Sequence, residues 1–264
     1  MGAGGSKWDD LSVRMATGAG LVAAGAAGIW AGGHVFHALV ALICGLMVWE
    51  LVGMLMPGWR GRIGLGALAG GAVMAAIYLP AGLALPLLLA PAILGFGLIA
   101  RERALYMGYT VLVVLAGFGM MALRDDFGVI WMLWLVAVVV ASDVAGYFAG
   151  RMIGGPKFWP RVSPKKTWSG TVAGWLGGAA VGAGVAAVTE AGAGLVGVSV
   201  AVAMAAQMGD IAESAIKRHV GVKDSSALLP GHGGLLDRFD GMLGASVFVL
   251  IAGQVVDFPP GVAT

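Results

Sequence analysis

Residues 214–240 read SAIKRHVGVKDSSALLPGHGGLLDRFD, a charged and glycine-rich stretch between two apolar runs. The 264-residue chain has only 16 Lys+Arg and 14 Asp+Glu, and this stretch holds Lys217, Arg218, Lys223, Asp224, Asp237, Arg238 and Asp240. Asp210 and Glu213 lie just upstream. On a helix, Asp210, Ser214 and Lys217 fall at i, i+4 and i+7, so one face presents a carboxylate, a hydroxyl and an ammonium. Asp237 and Asp240 are three apart and share a face if a helix has begun there. Between the two groups comes Pro230-Gly231-His232-Gly233-Gly234, whose glycines let the backbone turn tightly and aim N–H groups at an anion. Such a set suits phosphate chemistry. A hard cation such as Mg²⁺ takes one or two carboxylates plus substrate phosphate oxygens, while Lys and Arg neutralise the remaining phosphate charge. Any one of these charges alone reads as a structural salt bridge. Together, in a chain this poor in charge, they read as a site.

A second group lies in Ser142-Asp143-Val144-Ala145-Gly146-Tyr147, then Gly150-Arg151, then Ser163-Pro164-Lys165-Lys166-Thr167. Asp143 sits about two turns inside the end of an apolar run, and an ionisable group there is a functional candidate. Tyr147 at i+4 shares its face. The competing reading is a snorkelling acid paired with Arg151, and Lys165-Lys166 alone would be an ordinary flank of a membrane span. Glu50, near the end of another apolar run, is expected to line or support the same pocket; snorkelling to the interface explains it as well. No Ser-His-Asp order or reactive-cysteine context suggests covalent catalysis.

These residues must be positioned by membrane helices. Charged residues are 11% of the chain, hydrophobic ones 59%, and the mean hydropathy is +0.91, whereas a soluble domain is about 25% charged. The fold class is all-α, a polytopic helical integral membrane protein. The apolar runs lack the alternation of a β-barrel strand. About nine spans are expected, near 15–31, 34–56, 63–79, 82–100, 104–123, 128–149, 170–188, 193–211 and 241–257, each near the length a bilayer requires. Gly32-Gly33 and Pro80 separate tightly spaced pairs. Residues 1–126 form an N-terminal set of helices, and 127–264 a catalytic half with two long loops. With nine spans, every Lys and Arg except Arg124 falls on one side. The positive-inside rule then places the N-terminus and the loops in the cytoplasm and the C-terminus outside, in the plasma (bacterial inner) membrane.

Smaller features fit this frame. Gly170, Gly174, Gly178 and Gly182 recur every fourth residue, a small-residue face that suits internal packing and, as the alternative, a homodimer seam. Most Met and aromatic residues read as filler or lipid-facing, with Trp8, Trp59, Phe158 and Trp159 as interface anchors. Cys44 is the only cysteine, so no internal disulfide is possible. Met1-Gly2-Ala3-Gly4-Gly5-Ser6 fits a myristoylation pattern by chance. The first run is expected to be a retained helix rather than a cleaved signal sequence, there being no soluble exterior domain to deliver.

The pattern Ser214-x-Ile216-Lys217-Arg218-x4-Lys223-Asp224-x-Ser226-x2-Leu229-Pro230-x-His232-Gly233-Gly234-Leu235-x-Asp237-Arg238-Phe239-Asp240 resembles the signature of phosphatidate cytidylyltransferases, also called CDP-diacylglycerol synthases. The motif from Asp143 to Tyr147, followed by Gly150-Arg151 and residues 163–167, is similar to the same family. The likeness covers the C-terminal half strongly and the N-terminal half only in character. The resemblance implies CTP and bilayer phosphatidic acid as substrates, CDP-diacylglycerol and pyrophosphate as products, and no nucleic acid partner. On this reading Asp210, Asp237 and Asp240 bind Mg²⁺, with Asp224 a weaker candidate. Lys217, Arg218, Lys223 and Arg238 would grip the phosphates. Asp143, Tyr147, Lys165, Lys166, Ser214, Gly233 and Gly234 would complete the pocket. His232 serves equally as a phosphate-orienting group or as a turn residue satisfied by backbone. One departure is Ser169, which stands where the family commonly has Glu. Two rivals remain open. One is a nucleotidyltransferase or kinase acting on another membrane lipid, and the other is a transporter using Asp143 and Glu50 as pathway acids.

Overall fold

The computed structural model describes residues 7–255. The hexapeptide at 1–6 and the end of the expected last span lie outside the described residues, as does the side chain of Trp8. Among the described residues the chain forms nine helices and one short hairpin: α1 (Lys7–Ala31), α2 (Gly33–Leu55), α3 (Arg62–Ala76), α4 (Ala81–Leu98), α5 (Arg103–Phe127), α6 (Val129–Met152), β1 (Lys157–Trp159), β2 (Ser163–Thr167), α7 (Trp168–Val188), α8 (Gly194–Val220) and α9 (Leu236–Ala252). The sequence expectation thus finds a helix for each expected span. Six of them (α1 from Ser12, α2, α5, α6, α7 and α8) are long and apolar enough to cross a membrane. The other three are short: α3 has 15 residues, α4 18 and α9 17. The chain is a helical membrane protein.

Backbone chemistry sets the breaks. Gly32 adopts φ 62° between α1 and α2, a conformation that costs other residues a steric penalty. Gly221, at φ 76°, ends α8 in the same way: its N–H and that of Val222 return to the carbonyls of Arg218 and Lys217. The expected span at 193–211 therefore underestimates α8, which carries its polar face nine residues further, to Val220. The antiparallel hairpin pairs Lys157 with Thr167 and Trp159 with Ser163. It stands where the sequence reading had only a loop.

Helix α7 is sandwiched between α6 and α8 through its glycines. A methyl on Gly174 would lie 3.0 Å from the Ser142 carbonyl oxygen, and one on Gly178 2.9 Å from that of Ser199. The small-residue face is thus spent on packing within the chain. Trp134, Tyr106, Met47 and Met121 are fully buried filler, while Trp159 is 45% exposed and Phe158 packs edge-on against Trp168.

Polar contacts collect at two opposite ends. At one end His219 pairs with Glu102 at 3.0 Å, Lys166 pairs with Asp210 at 2.6 Å, and Glu50 meets the loop between α8 and α9. At the other, His37 Nε2 bonds Asp125 at 2.8 Å and Arg124 donates to the Ile29 carbonyl at 2.7 Å.

Candidate active site

A cavity of about 580 Å³ opens between α6, α7, α8 and the hairpin. Helix α6 contributes Asp143, Tyr147 and Arg151; the hairpin contributes Lys165 and Lys166; α8 contributes Gln207 and Asp210. Asp210, just upstream of the charged 214–240 stretch, therefore shares one chamber with the motif that begins at Asp143. Helix α6 can lie this close to α7 because Gly146 faces Gly170: a methyl on Gly146 would stand 3.1 Å from the Gly170 carbonyl oxygen. Thr167 caps α7, its hydroxyl accepting from Gly170 N at 3.2 Å. That cap fixes where the strand carrying Lys165 and Lys166 joins the helix.

Lys166 Nζ lies 2.6 Å from Asp210 Oδ2 and donates to the Gln207 carbonyl at 3.5 Å. Ser214 Oγ donates to Asp210 Oδ1 at 3.2 Å, so the i, i+4 pair shares a helix face as the spacing predicts. Asp240 belongs to the same acidic group. Helices α8 and α9 touch where Gly209 meets the Asp240 backbone, and the carboxylates of Asp210 and Asp143 both act electrostatically on Asp240. Apart from the Gly241 N–H at 2.8 Å, Asp240 has no hydrogen-bond donor among the described residues.

Asp237 is placed differently. Its Oδ1 receives Lys217 Nζ at 2.6 Å; its Oδ2 receives Ser225 N at 2.8 Å, Ser225 Oγ at 2.9 Å and Gly234 N at 2.8 Å. Lys217 is shared with Glu213, 2.6 Å away on the preceding turn of α8. Both oxygens of Asp237 are thus engaged, Oδ1 by Lys217 on α8 and Oδ2 by the loop before α9. Glu50 is likewise engaged from α2. It is 1% exposed and accepts from Ser226 Oγ at 2.6 Å, Leu236 N at 2.8 Å, Leu235 N at 2.9 Å and Ser225 Oγ at 3.3 Å. Leu235 N and Leu236 N are orphan backbone donors at the start of α9, and the two serine hydroxyls come from the loop before it. A methyl on Gly234 would fall 2.5 Å from Glu50 Oε1, so the close approach demands glycine.

The glycine turn therefore corrects the expectation of a phosphate cradle. The N–H of Gly234 points at Asp237, and the Gly233 carbonyl receives Leu229 N at 2.8 Å. His232 sits against backbone, its carbonyl taking Arg238 Nε at 3.1 Å and its Nδ1 lying 3.5 Å from the Pro230 carbonyl. Asp224, Arg218 and Lys223 are exposed and, like Gly233, Gly234, His232, Lys217 and Arg238, do not line the cavity. Of the sequence candidates, the structure brings Asp143, Tyr147, Lys165, Lys166 and Asp210 into it, with Asp240 alongside.

One residue escaped the sequence reading, and another has a different partner from the one expected. Gln207 ties three helices together: Nε2 donates to the Thr171 carbonyl at 3.1 Å and lies 3.4 Å from Ser142 Oγ, and Oε1 accepts from Trp175 at 3.0 Å. Its signal was an amide one turn before Asp210 inside an apolar run. Arg151, a member of the motif and the expected partner for Asp143, instead donates to Tyr147 OH at 2.9 Å on the cavity wall. Ser169 lies outside the cavity lining; its hydroxyl donates to the Gly154 carbonyl and lies 3.0 Å from Thr167 Oγ1.

The described residues contain no cluster of three or more His, Cys, Asp or Glu side chains set to hold a metal by themselves. The set around Asp210 fits a divalent cation only with oxygens shared from a phosphate-bearing substrate.

Comparison with known proteins gives the family. The pattern of the cytidylyltransferase family matches residues 12–256. A phosphatidate cytidylyltransferase of Brucella suis is 40% identical over 151 residues, 54% of this chain and 56% of that protein. Its namesakes from Helicobacter pylori and Bacillus subtilis are 40% and 36% identical over 128 and 122 residues, or 48% and 45% of each chain. The chain spans about half the length of the curated relatives it matches. With nearly the whole sequence covered by the family pattern, the chain belongs to the cytidylyltransferase family.

Proposed function

We propose that the chain transfers a cytidylyl group from CTP to phosphatidic acid, giving CDP-diacylglycerol and pyrophosphate. The observation that carries this reading is the single chamber in which Asp143 and Asp210 oppose Lys165 and Lys166 at one polar end of a membrane protein. The names of the relatives supply the substrate pair.

In the reaction, a phosphate oxygen of the lipid forms a bond to the α-phosphorus of CTP. The bond from that phosphorus to the bridging oxygen of the β-phosphate breaks, and pyrophosphate leaves with the electron pair. No protein nucleophile is needed; positioning and charge neutralisation suffice. Lys165 and Lys166 neutralise the triphosphate. Arg151, held by Tyr147 on an exposed face of α6, meets the lipid phosphate. Asp210 and Asp240, with Asp143 opposite, would hold Mg²⁺, which would supply positive charge against the phosphates. Asp237 and Lys217 act one layer back, fixing the loop that starts α9, and Arg218, Lys223, Arg238 and Asp224 supply outer charge.

The topology belongs to the same proposal. All nine helices cross or enter the bilayer, with the N-terminus and the chamber on the cytoplasmic side of the plasma membrane and the C-terminus outside. The lipid then keeps its acyl chains in the bilayer while CTP arrives from water.

The test is purified protein in vesicles with labelled CTP, Mg²⁺ and phosphatidic acid. A labelled liponucleotide is the expected product. Solute flux without CTP consumption would instead establish the transporter reading, and labelling only with a different lipid would replace the substrate.

A further inference from the structure

A second cavity, of about 590 Å³, lies between α2 and α3. It shares no lining residue with the chamber around Asp210. Its origin is the close contact of the two helices: a methyl on Gly45 would lie 2.8 Å from the Gly66 carbonyl oxygen, and one on Gly70 2.7 Å from that of Ala41. Helices that touch through glycine leave a trough beside the seam. Leu42 and Trp49 wall it on one side, Ile63 and Met74 on the other, and its surface is almost wholly apolar. Leu42 and Ile63 are 60% and 66% exposed, so the trough is open at the protein surface, and on the proposed topology that surface meets the bilayer.

Two features single out one occupant. The lining runs from Ala38 to Trp49 on α2 and from Ile63 to Met74 on α3, in each case about 16 Å at 1.5 Å per residue. That is about half of the ~30 Å hydrocarbon core, the depth of one leaflet. At the Trp49 end, the Arg62 guanidinium stacks 4.5 Å from the indole centroid and has no carboxylate partner among the described residues. A guanidinium stacked on its face still offers its edge donors to a phosphate, and basic pockets between membrane helices take anionic head groups.

We infer that the α2–α3 trough binds one anionic phospholipid of the surrounding bilayer, an acyl chain along the glycine seam and the head-group phosphate on Arg62. This inference goes beyond the catalytic reading and is independent of turnover. The neighbour of Trp49 in sequence is Glu50, the carboxylate that holds the start of α9. The bound lipid is thus in contact with the turn of α2 that supports the active-site loop.

The experiment is native mass spectrometry of the full chain, delipidated and then exchanged with vesicles of equal phosphatidylglycerol and phosphatidylcholine. The wild type should keep one phosphatidylglycerol per chain in preference to phosphatidylcholine. Arg62→Gln should lower that preference about fivefold, the effect of one basic residue at an anionic surface. Gly71→Leu, at a lining position where a new Cβ meets nothing within 4 Å, should lower retention of both lipids. Arg62→Lys, which keeps the stem and the charge, should fall between wild type and Arg62→Gln, and matching thermal unfolding curves show that the variants fold. An unchanged preference in Arg62→Gln, or unchanged retention in Gly71→Leu, overturns the inference. Gly71→Leu converting a two-chain species to single chains with lipid retention intact also overturns it, making the trough a seam between copies.

Discussion

Asp237 and Asp240 sit one turn apart on α9, and their surroundings give them separate duties. Asp237 receives four hydrogen bonds, including one from Lys217; Asp240 receives one and otherwise faces the acids of the chamber. Removing one partner of a buried ion pair costs about 3–5 kcal/mol, because the other charge is left behind. Asp237→Asn should therefore lower the thermal unfolding temperature sharply. Asp240→Asn should leave unfolding nearly unchanged but slow cytidylyl transfer about 10²–10³-fold, the range for losing one group that stabilises developing charge, and raise the Mg²⁺ concentration needed for half activity. Equal transfer by wild type and Asp240→Asn at limiting Mg²⁺ would remove Asp240 from the site. The spacing of these acids was legible in the sequence. Their division of labour was not, since it depends on how Ser225 and Gly234 fold back, and no local spacing encodes that.

Elements meet where the chain supplies either glycine or a buried carboxylate. Glu50 answers the first backbone donors of α9 from a helix 185 residues earlier in the sequence. Glu50→Gln puts an amide donor against existing donors, so an unsatisfied pair costs about 1–3 kcal/mol; thermal unfolding and transfer rate should both fall. Gly174→Leu drives a side chain into Ser142 and Gln207 and should separate α7 from α6, seen as loss of the folded species in detergent. Here the sequence was informative in part. The four-residue glycine period announced α7 as a packing helix, and the expected role of Glu50 as a support matches the hydrogen bonds it makes. The hairpin was hidden because strands of three and five residues are too short for an alternation to register, and the end of α8 because hydropathy fades before the helix does.

For the whole molecule, polar contacts separate into two ends, and which end faces the cytoplasm is a matter for experiment. The orientation is testable with a membrane-impermeant thiol reagent, since Cys44 is fully buried. On the proposed topology, a cysteine replacing Glu190, exposed between α7 and α8, should react from outside intact cells. One replacing Lys223 should react only after permeabilisation. The reverse pattern would turn the protein over in the membrane and put the chamber on the wrong face for cytosolic CTP. Composition and periodicity were enough to recover the helices; which helices clasp each other was left to contacts far apart in sequence. The clasp by Glu50 has one more implication, for anyone who would divide the chain after residue 126. A fragment beginning at 127 would possess nearly every reactive group yet lack the acid that anchors its key turn, so it should be inert alone and regain competence when the missing portion is co-expressed as a separate polypeptide.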